Sequence, residues 1–224
     1  MSTRTRTRPK AGPAARRRAP RRVPAARRRA VRRRRVAAIL GVALLAGIGV
    51  ALLTPFADKA VREFSLPLRH DGVIRQQAAD KGLDPALIAV VIYAESRFRE
   101  GQTSTAGAQG LMQVTPATAR DIARKSGGTN FQVEDLDDPD VNIAYGAYHL
   151  RYLLGRYGTN ETFAIAAYNA GEGNVDRWIA DARREGRDLE IAAIPFPETR
   201  AYARQVLDAQ RQYRTSYAAE LGLG

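Results

Sequence analysis

Residues 84 to 98 read Asp-Pro-Ala-Leu-Ile-Ala-Val-Val-Ile-Tyr-Ala-Glu-Ser-Arg-Phe. Asp84 can cap a helix, and Pro85 fits the first helical position, where no amide hydrogen is needed. From Ala86 to Ala94 the helix has no polar face. Such a helix is stable only when protein surrounds it. It is too short to cross a bilayer. The chain must therefore pack other elements around this one, and their signals are helical. The first charge after Asp84 is Glu95, which falls in the last turn of this apolar helix.

The surrounding sequence predicts a mainly α domain over residues 70–219. Asp71 is placed to cap a helix over 72–81, ended by Gly82. Thr115-Pro116 opens a helix to about Lys125. Gly127, Gly128 and the acidic stretch Glu134 to Asp140 read as a long loop. Asp140 is expected to cap a helix from Val141 to about Gly155, with Ile143, Ala147, Leu150 and Leu154 near one face. Asn160 starts a helix that runs through Phe163, Ile165 and Ala166 to Tyr168 and Gly171. Asn174 is expected to begin a helix holding Val175, Trp178 and Ile179. A last helix runs from Thr199 to about Ala219, with Tyr202, Val206, Ala209 and Tyr213 at helical spacing. Strand signals are almost absent. A domain of this size can bury an adequate core.

The formal net charge of +13 suggests a nucleic-acid partner, but its distribution argues against one. Residues 1–35 hold 16 of the 36 Lys and Arg, and no acid precedes Asp58. Residues 54–224 carry 20 basic and 23 acidic side chains, a net of −3, so the folded part has no bias toward a polyanion. No aromatic residue is interleaved with the arginines to stack on bases. Residues 1–35 lack apolar periodicity and read as a disordered cytoplasmic tail. Val36 to Leu53 follow without a charge. Eighteen helical residues span roughly 27 Å, close to the apolar thickness of a membrane. The run reads as one transmembrane helix. Its basic flank stays cytoplasmic, and 54–69 becomes a linker on the far side. The alternative is a cleaved signal peptide. It is disfavoured because the run is long and no Ala-x-Ala site follows.

Glu95 is the strongest candidate for chemistry. An acid that delivers a proton at neutral pH needs a raised pKa. The apolar run desolvates Glu95, and the end of the helix dipole disfavours its charge. Arg99 opposes this only if the helix extends so far and the side chain turns inward. Glu100 reads as a solvated loop charge. The chain has no Cys and only two His, His70 and His149, with no HExxH spacing. Thiolate catalysis is thereby excluded, and neither a metal nor a cofactor is expected.

Three further signatures follow Glu95-Ser96-Arg97-Phe98 in order: Gly107-Ala108-Gln109-Gly110-Leu111-Met112-Gln113, then Ala167-Tyr168-Asn169-Ala170-Gly171, then Pro197-Glu198-Thr199-Arg200-Ala201-Tyr202. Together they resemble the soluble lytic transglycosylase family, over about residues 70–215. The resemblance implies a lysozyme-like domain that cleaves the β-1,4 bond between N-acetylmuramic acid and N-acetylglucosamine in peptidoglycan. It implies a non-hydrolytic outcome with 1,6-anhydro ends, Glu95 serving as acid and then base. Ser104 is implied to contact the reacting sugar and Gln113 to hydrogen-bond the glycan. Gly110 allows close backbone approach, with Leu111 and Met112 packed beneath. Tyr168 is implied to hydrogen-bond Glu95 and the substrate. Asn169 braces the loop, Gly171 ends the helix, and Glu198 and Tyr202 line the cleft. Thr115 stands where some members have Met, so apolar sugar contact there is not implied. Trp178 reads as core. A water-using muramidase on the same fold and a non-catalytic glycan-binding protein are the competing readings. In each, the partners are peptidoglycan strands and the membrane, with the domain outside the cell membrane.

Overall fold

The computed structural model describes residues 66–127, 130–158 and 160–224. The arginine tail, the apolar run 36–53 and most of the linker lie outside the described residues. Among the described residues no helix is long and apolar enough to cross a membrane.

Seven α-helices are described: α1 Asp71–Lys81, α2 Pro85–Ser96, α3 Pro116–Ser126, α4 Pro139–Arg156, α5 Glu161–Ala170, α6 Glu172–Arg184 and α7 Pro197–Ser216. Two short 3-10 turns, Val133–Asp137 and Ile191–Ala193, join them. Among the described residues, extended pairing is confined to isolated bridges from Gln109 to Thr103 and Val114. The apolar helix α2 is central, as its sequence requires. Every residue from Ala86 to Ile92 is buried, and so is Ser96. It packs chiefly on α7 and on α1, while α5 packs on α4, α6 and α7.

Local signals explain most boundaries. Asp84 caps α2 through Ala86 N at 3.0 Å, with Pro85 at the first position. Thr115 caps α3 through Thr118 N, and Asn160 caps α5 through Phe163 N. Several boundary expectations need correction. Asp71 lies inside α1, whose cap position is His70 in a left-handed conformation, φ 56°. Helix α4 starts at Pro139 and not at Val141. Asp138 is its cap, accepting from Asp140 N and Val141 N at 2.8 and 3.1 Å. The preceding acidic stretch is partly ordered as a 3-10 turn whose Leu136 is buried. Helix α6 begins at Glu172, and Asn174 instead donates to Ala170 O at 2.7 Å, satisfying the end of α5. The last helix also runs earlier than expected, opened by Pro197 and ended at Ser216.

Helix α7 ties the fold together. Tyr213 Oη donates to Pro67 O at 2.5 Å and Tyr217 Oη to Leu66 O at 2.7 Å, so the end of the linker is fastened to the last helix. From the same helix, Gln210 Nε2 and Arg214 Nε donate to Asp84 Oδ2 at 2.7 and 3.0 Å. One carboxylate thus caps α2 and anchors α7. Asp84→Ala is expected to cost about 2–3 kcal/mol, the sum of a lost cap and a lost charge-assisted hydrogen bond. Urea denaturation measures this; a loss below about 0.5 kcal/mol would contradict the shared role.

Candidate active site

Glu95 occupies the penultimate position of α2, where the helix stops abruptly. Arg97 and Phe98 both take left-handed backbone conformations, φ 55° and 57°. Phe98 is buried, which turns the chain inward, and the Arg97 guanidinium lies over the Tyr93 ring at 4.1 Å. Because the helix ends, Arg99 is not in register to neutralise Glu95. Its Nε donates to Ser96 O at 3.2 Å. Burial raises the Glu95 pKa to about 7, against the opposing pull of a hydrogen bond from Tyr202. That bond is short, 2.6 Å from Tyr202 Oη to Glu95 Oε1. Among the described residues no other carboxylate contributes to the shift.

The segment after α2 is a compact loop with its own hydrogen bonds. Gln109 and Val114 exchange both backbone bonds at 3.0 Å, and Gly110 N donates to Gln102 O at 2.9 Å. Its floor is set by two glycines. A Cβ on Gly110 would sit 2.0 Å from Asn142 Nδ2, and one on Gly146 would sit 2.4 Å from Met112 Sδ. The close approach that Gly110 permits is therefore to α4. Leu111 and Met112 are buried beneath the loop, as the resemblance implies.

The fully buried Asn142 holds this arrangement. It accepts from Met112 N at 2.8 Å, and its Nδ2 donates to Gln109 O and Leu136 O at 2.9 and 3.0 Å. Sequence reasoning missed it. The available signal was an amide side chain beside Ile143 on a helix otherwise packed by apolar residues.

The two tyrosines divide the work differently from the expectation. Tyr202, on α7, makes the bond to Glu95. Tyr168, on α5, donates to Met112 O at 2.9 Å instead. The reason is placement. Tyr168 ends α5 against the loop, whereas Tyr202 stands one turn into the helix that packs on α2. Tyr168 is still close enough to feel Glu95, whose charge adds to burial in raising the phenol's pKa. Gln113, at φ 48°, spends its amide nitrogen on Gly110 O and Gln102 O at 2.9 and 3.2 Å. Ser104 is exposed and accepts from Ala108 N at 3.1 Å, shaping the loop's turn. Asn169 accepts from the buried Thr199 Oγ1 at 2.7 Å, which ties the end of α5 to the start of α7. Glu198 is exposed in the first turn of α7. Trp178 is buried, its ring meeting Phe196 edge-on at 4.9 Å.

Residues 72–191 match the transglycosylase SLT domain family. The chain belongs to that family. It is 32% identical over 154 residues to the soluble lytic murein transglycosylase of Escherichia coli K12, covering 68% of this chain and 24% of that protein. It is 29% identical over 195 residues to the membrane-bound lytic murein transglycosylase C of Salmonella arizonae, covering 78% of this chain and 52% of that one. The lytic transglycosylase Slt of Pseudomonas aeruginosa, solved as an inactive glutamate-to-glutamine mutant, superimposes with a TM-score of 0.64 at 33% identity, over 70% of this chain and 26% of that chain. The chain thus spans about a quarter of the soluble relatives' length. The fold of this SLT domain is the lysozyme-like, mainly α architecture that the motifs imply.

In this SLT family member, the Tyr202–Glu95 bond, made by a residue beyond the matched segment 72–191, has a testable electrostatic consequence. It stabilises the charged carboxylate and so holds the pKa below what burial alone would give. Tyr202→Phe is expected to move the alkaline limb of the pH–rate profile upward and to lower the maximal rate about tenfold. A limb that stays in place would show that the bond is absent in solution.

Proposed function

We propose that the chain is a peptidoglycan lytic transglycosylase, cleaving between N-acetylmuramic acid and N-acetylglucosamine to leave 1,6-anhydro-muramic acid ends. The observation that carries this reading is a half-buried, desolvated carboxyl, Glu95, with a pKa raised to about 7 and a tyrosine as its hydrogen-bond partner. A group poised near working pH can give and take a proton with equal ease. An inverting or retaining hydrolase normally uses two carboxylates, and among the described residues no second one perturbs Glu95.

The reaction balances with one acid. Glu95 gives its proton to the glycosidic oxygen as the bond from that oxygen to the muramic acid C1 breaks. The sugar's own acetamido oxygen supports the positive charge at C1. Glu95, now a carboxylate, takes the proton from the C6 hydroxyl of the same sugar. The C6 oxygen closes onto C1, and the N-acetylglucosamine departs with its 4-hydroxyl. Glu95 ends protonated, ready to repeat. Intramolecular attack supplies high effective molarity without a bound water. Tyr202 steadies the carboxylate stage, and Tyr168, through Met112, fixes the loop against the sugar. Ser104, Gln113, Asn169 and Glu198 line or brace the path of the strand. The inactive glutamate-to-glutamine mutant of the Pseudomonas relative supports a catalytic glutamate in this family.

In this reading residues 1–35 form a cytoplasmic tail, 36–53 the membrane anchor, 54–69 the linker and 70–219 the catalytic domain outside the membrane. The Salmonella relative, named as membrane-bound, supports attachment to a membrane. Incubating the full-length chain with purified cell-wall sacculi tests the activity. Release of soluble anhydro-muropeptides is expected, and intact sacculi after prolonged incubation would refute it.

A further inference from the structure

Just beyond Glu95 the backbone is strained. Arg97 and Phe98 are consecutive residues other than glycine in the left-handed region, φ 55° and 57°. Such residues persist only where their surroundings hold them. Left free, the chain would continue α2 in right-handed turns. Arg99 would then stand four residues after Glu95 on the same helix face, where its charge would favour the carboxylate. The turn therefore keeps Glu95 an acid, and whatever holds the turn bears on the chemistry.

Two contacts reach the turn from residues 66–70. The first runs through Tyr213 of α7, a fully buried side chain. Its ring lies 6.5 Å from the Phe98 ring and 6.1 Å from the Tyr93 ring, centroid to centroid, within the range of favourable aromatic pairs. Its hydroxyl donates to Pro67 O at 2.5 Å, which fixes where the ring can sit. The second contact is at the surface, where His70 Nε2 lies 3.0 Å from Glu100 Oε1. The Glu100 side chain is exposed, so this pair contributes little. Tyr217 also holds the segment, through Leu66 O, but its ring meets Tyr213 at 5.5 Å, one ring further from the turn.

We propose that Tyr213 is a positioning residue for Glu95: its hydroxyl seats the ring on Pro67, and the ring holds Phe98 in the turn that stops α2 one residue after Glu95. The inference rests on the proposed transglycosylase reading, in which Glu95 is the acid. The groups that face Glu95 are the hydroxyl of Tyr202 from α7 and Tyr168 from α5. Burial and the Glu95 charge push both phenols well above their ordinary pKa, so both stay neutral. Tyr213 acts through the backbone instead.

The test compares the full-length wild type with Tyr213→Phe and Tyr217→Phe. Phe keeps the ring and its packing and removes only the hydroxyl. In Tyr213→Phe the amides of Arg97 and Arg99 are expected to exchange with heavy water about tenfold faster, while those of α4 and α5 keep their wild-type rates. On soluble, uncrosslinked glycan strands its kcat is expected to fall about fivefold with KM within about twofold. The alkaline limb of its pH–rate profile is expected to move to lower pH, opposite to the shift expected of Tyr202→Phe, because water and Arg99 gain access to Glu95. Tyr217→Phe is expected to stay within about twofold of wild type in kcat and exchange. Unchanged exchange at Arg97 and Arg99, or an equal rise throughout α4 and α5, would overturn the assignment. So would a raised KM at unchanged kcat, a limb that stays in place, or equal effects from the two variants. Wild-type protein that fails to cleave the strands would refute the transglycosylase reading, and the exchange rates would still decide whether Tyr213 holds the turn.

Discussion

Glu95→Gln is expected to lower the rate of glycan cleavage by at least about 10³-fold while leaving the fold intact. General acid or base catalysis contributes roughly 10²–10⁴-fold, and in the proposed mechanism this one residue performs both steps in turn. Gln preserves shape and can accept from Tyr202, but it cannot deliver a proton. The same substitution should stabilise the protein at alkaline pH. The Glu95 pKa is raised from 4.5 to about 7 in the folded chain. The folded state therefore binds more protons than the unfolded state between those values. The contribution of Glu95 to stability is greatest below pH 4.5, falls as the pH rises toward 7 and then levels off. At about 1.4 kcal/mol per unit the full cost is about 3 kcal/mol, and solvent screening at the cleft surface reduces it to about 1–3 kcal/mol. Thermal melting at pH 8 should show the Gln variant above wild type, with the gap closing at pH 4. A variant that is less stable at pH 8, or that retains a tenth of the activity, would contradict this account of Glu95.

Asn142→Leu is expected to be the most damaging substitution outside the cleft. Leu has nearly the same shape but leaves Met112 N, Gln109 O and Leu136 O without the partners that Asn142 provides. Each buried polar group left unsatisfied costs about 1–3 kcal/mol. Partial relaxation of the loop brings the total to about 3–4 kcal/mol, readable as a shift in the urea midpoint. Activity should fall further than the folded fraction does, because Met112 O receives the Tyr168 hydroxyl and the proposed mechanism sets this loop beside the reacting sugar. Gly110→Ala should mimic the defect from the other side. Its methyl group would meet Asn142 at 2.0 Å, at a backbone φ of 74° that a Cβ already strains. If either variant kept full stability, the loop would not be pinned on α4 as described.

The parts of the fold that could be read in sequence are those with local causes. Asp84-Pro85 and the apolar run that follows declare α2 and its central place. Asn160 and Gly171 mark the two ends of α5 for the same reason. Errors arose where several residues could play one part. In Asp137-Asp138-Pro139-Asp140 any of three aspartates can cap, and Pro139, fitting the first turn, decides for Asp138. The site divides along the same line. Glu95 was legible because its pKa depends on its own apolar helix. The identity of its partner depends on how α7 and α5 pack against α2, and no local pattern distinguishes Tyr202 from Tyr168. Asn142 was invisible for a related reason, since its partners lie 30 and 33 residues away in the loop and 6 residues away in the preceding turn.

The central claim is that Glu95 acts alone, with no water in the bond-breaking sequence. Digesting sacculi with the full-length chain in heavy-oxygen water, followed by mass spectrometry of the released muropeptides, tests it most directly. Muramic acid ends one water lighter than the reducing form and free of the heavy isotope are expected. Reducing ends carrying heavy oxygen would contradict it and make the protein a hydrolase.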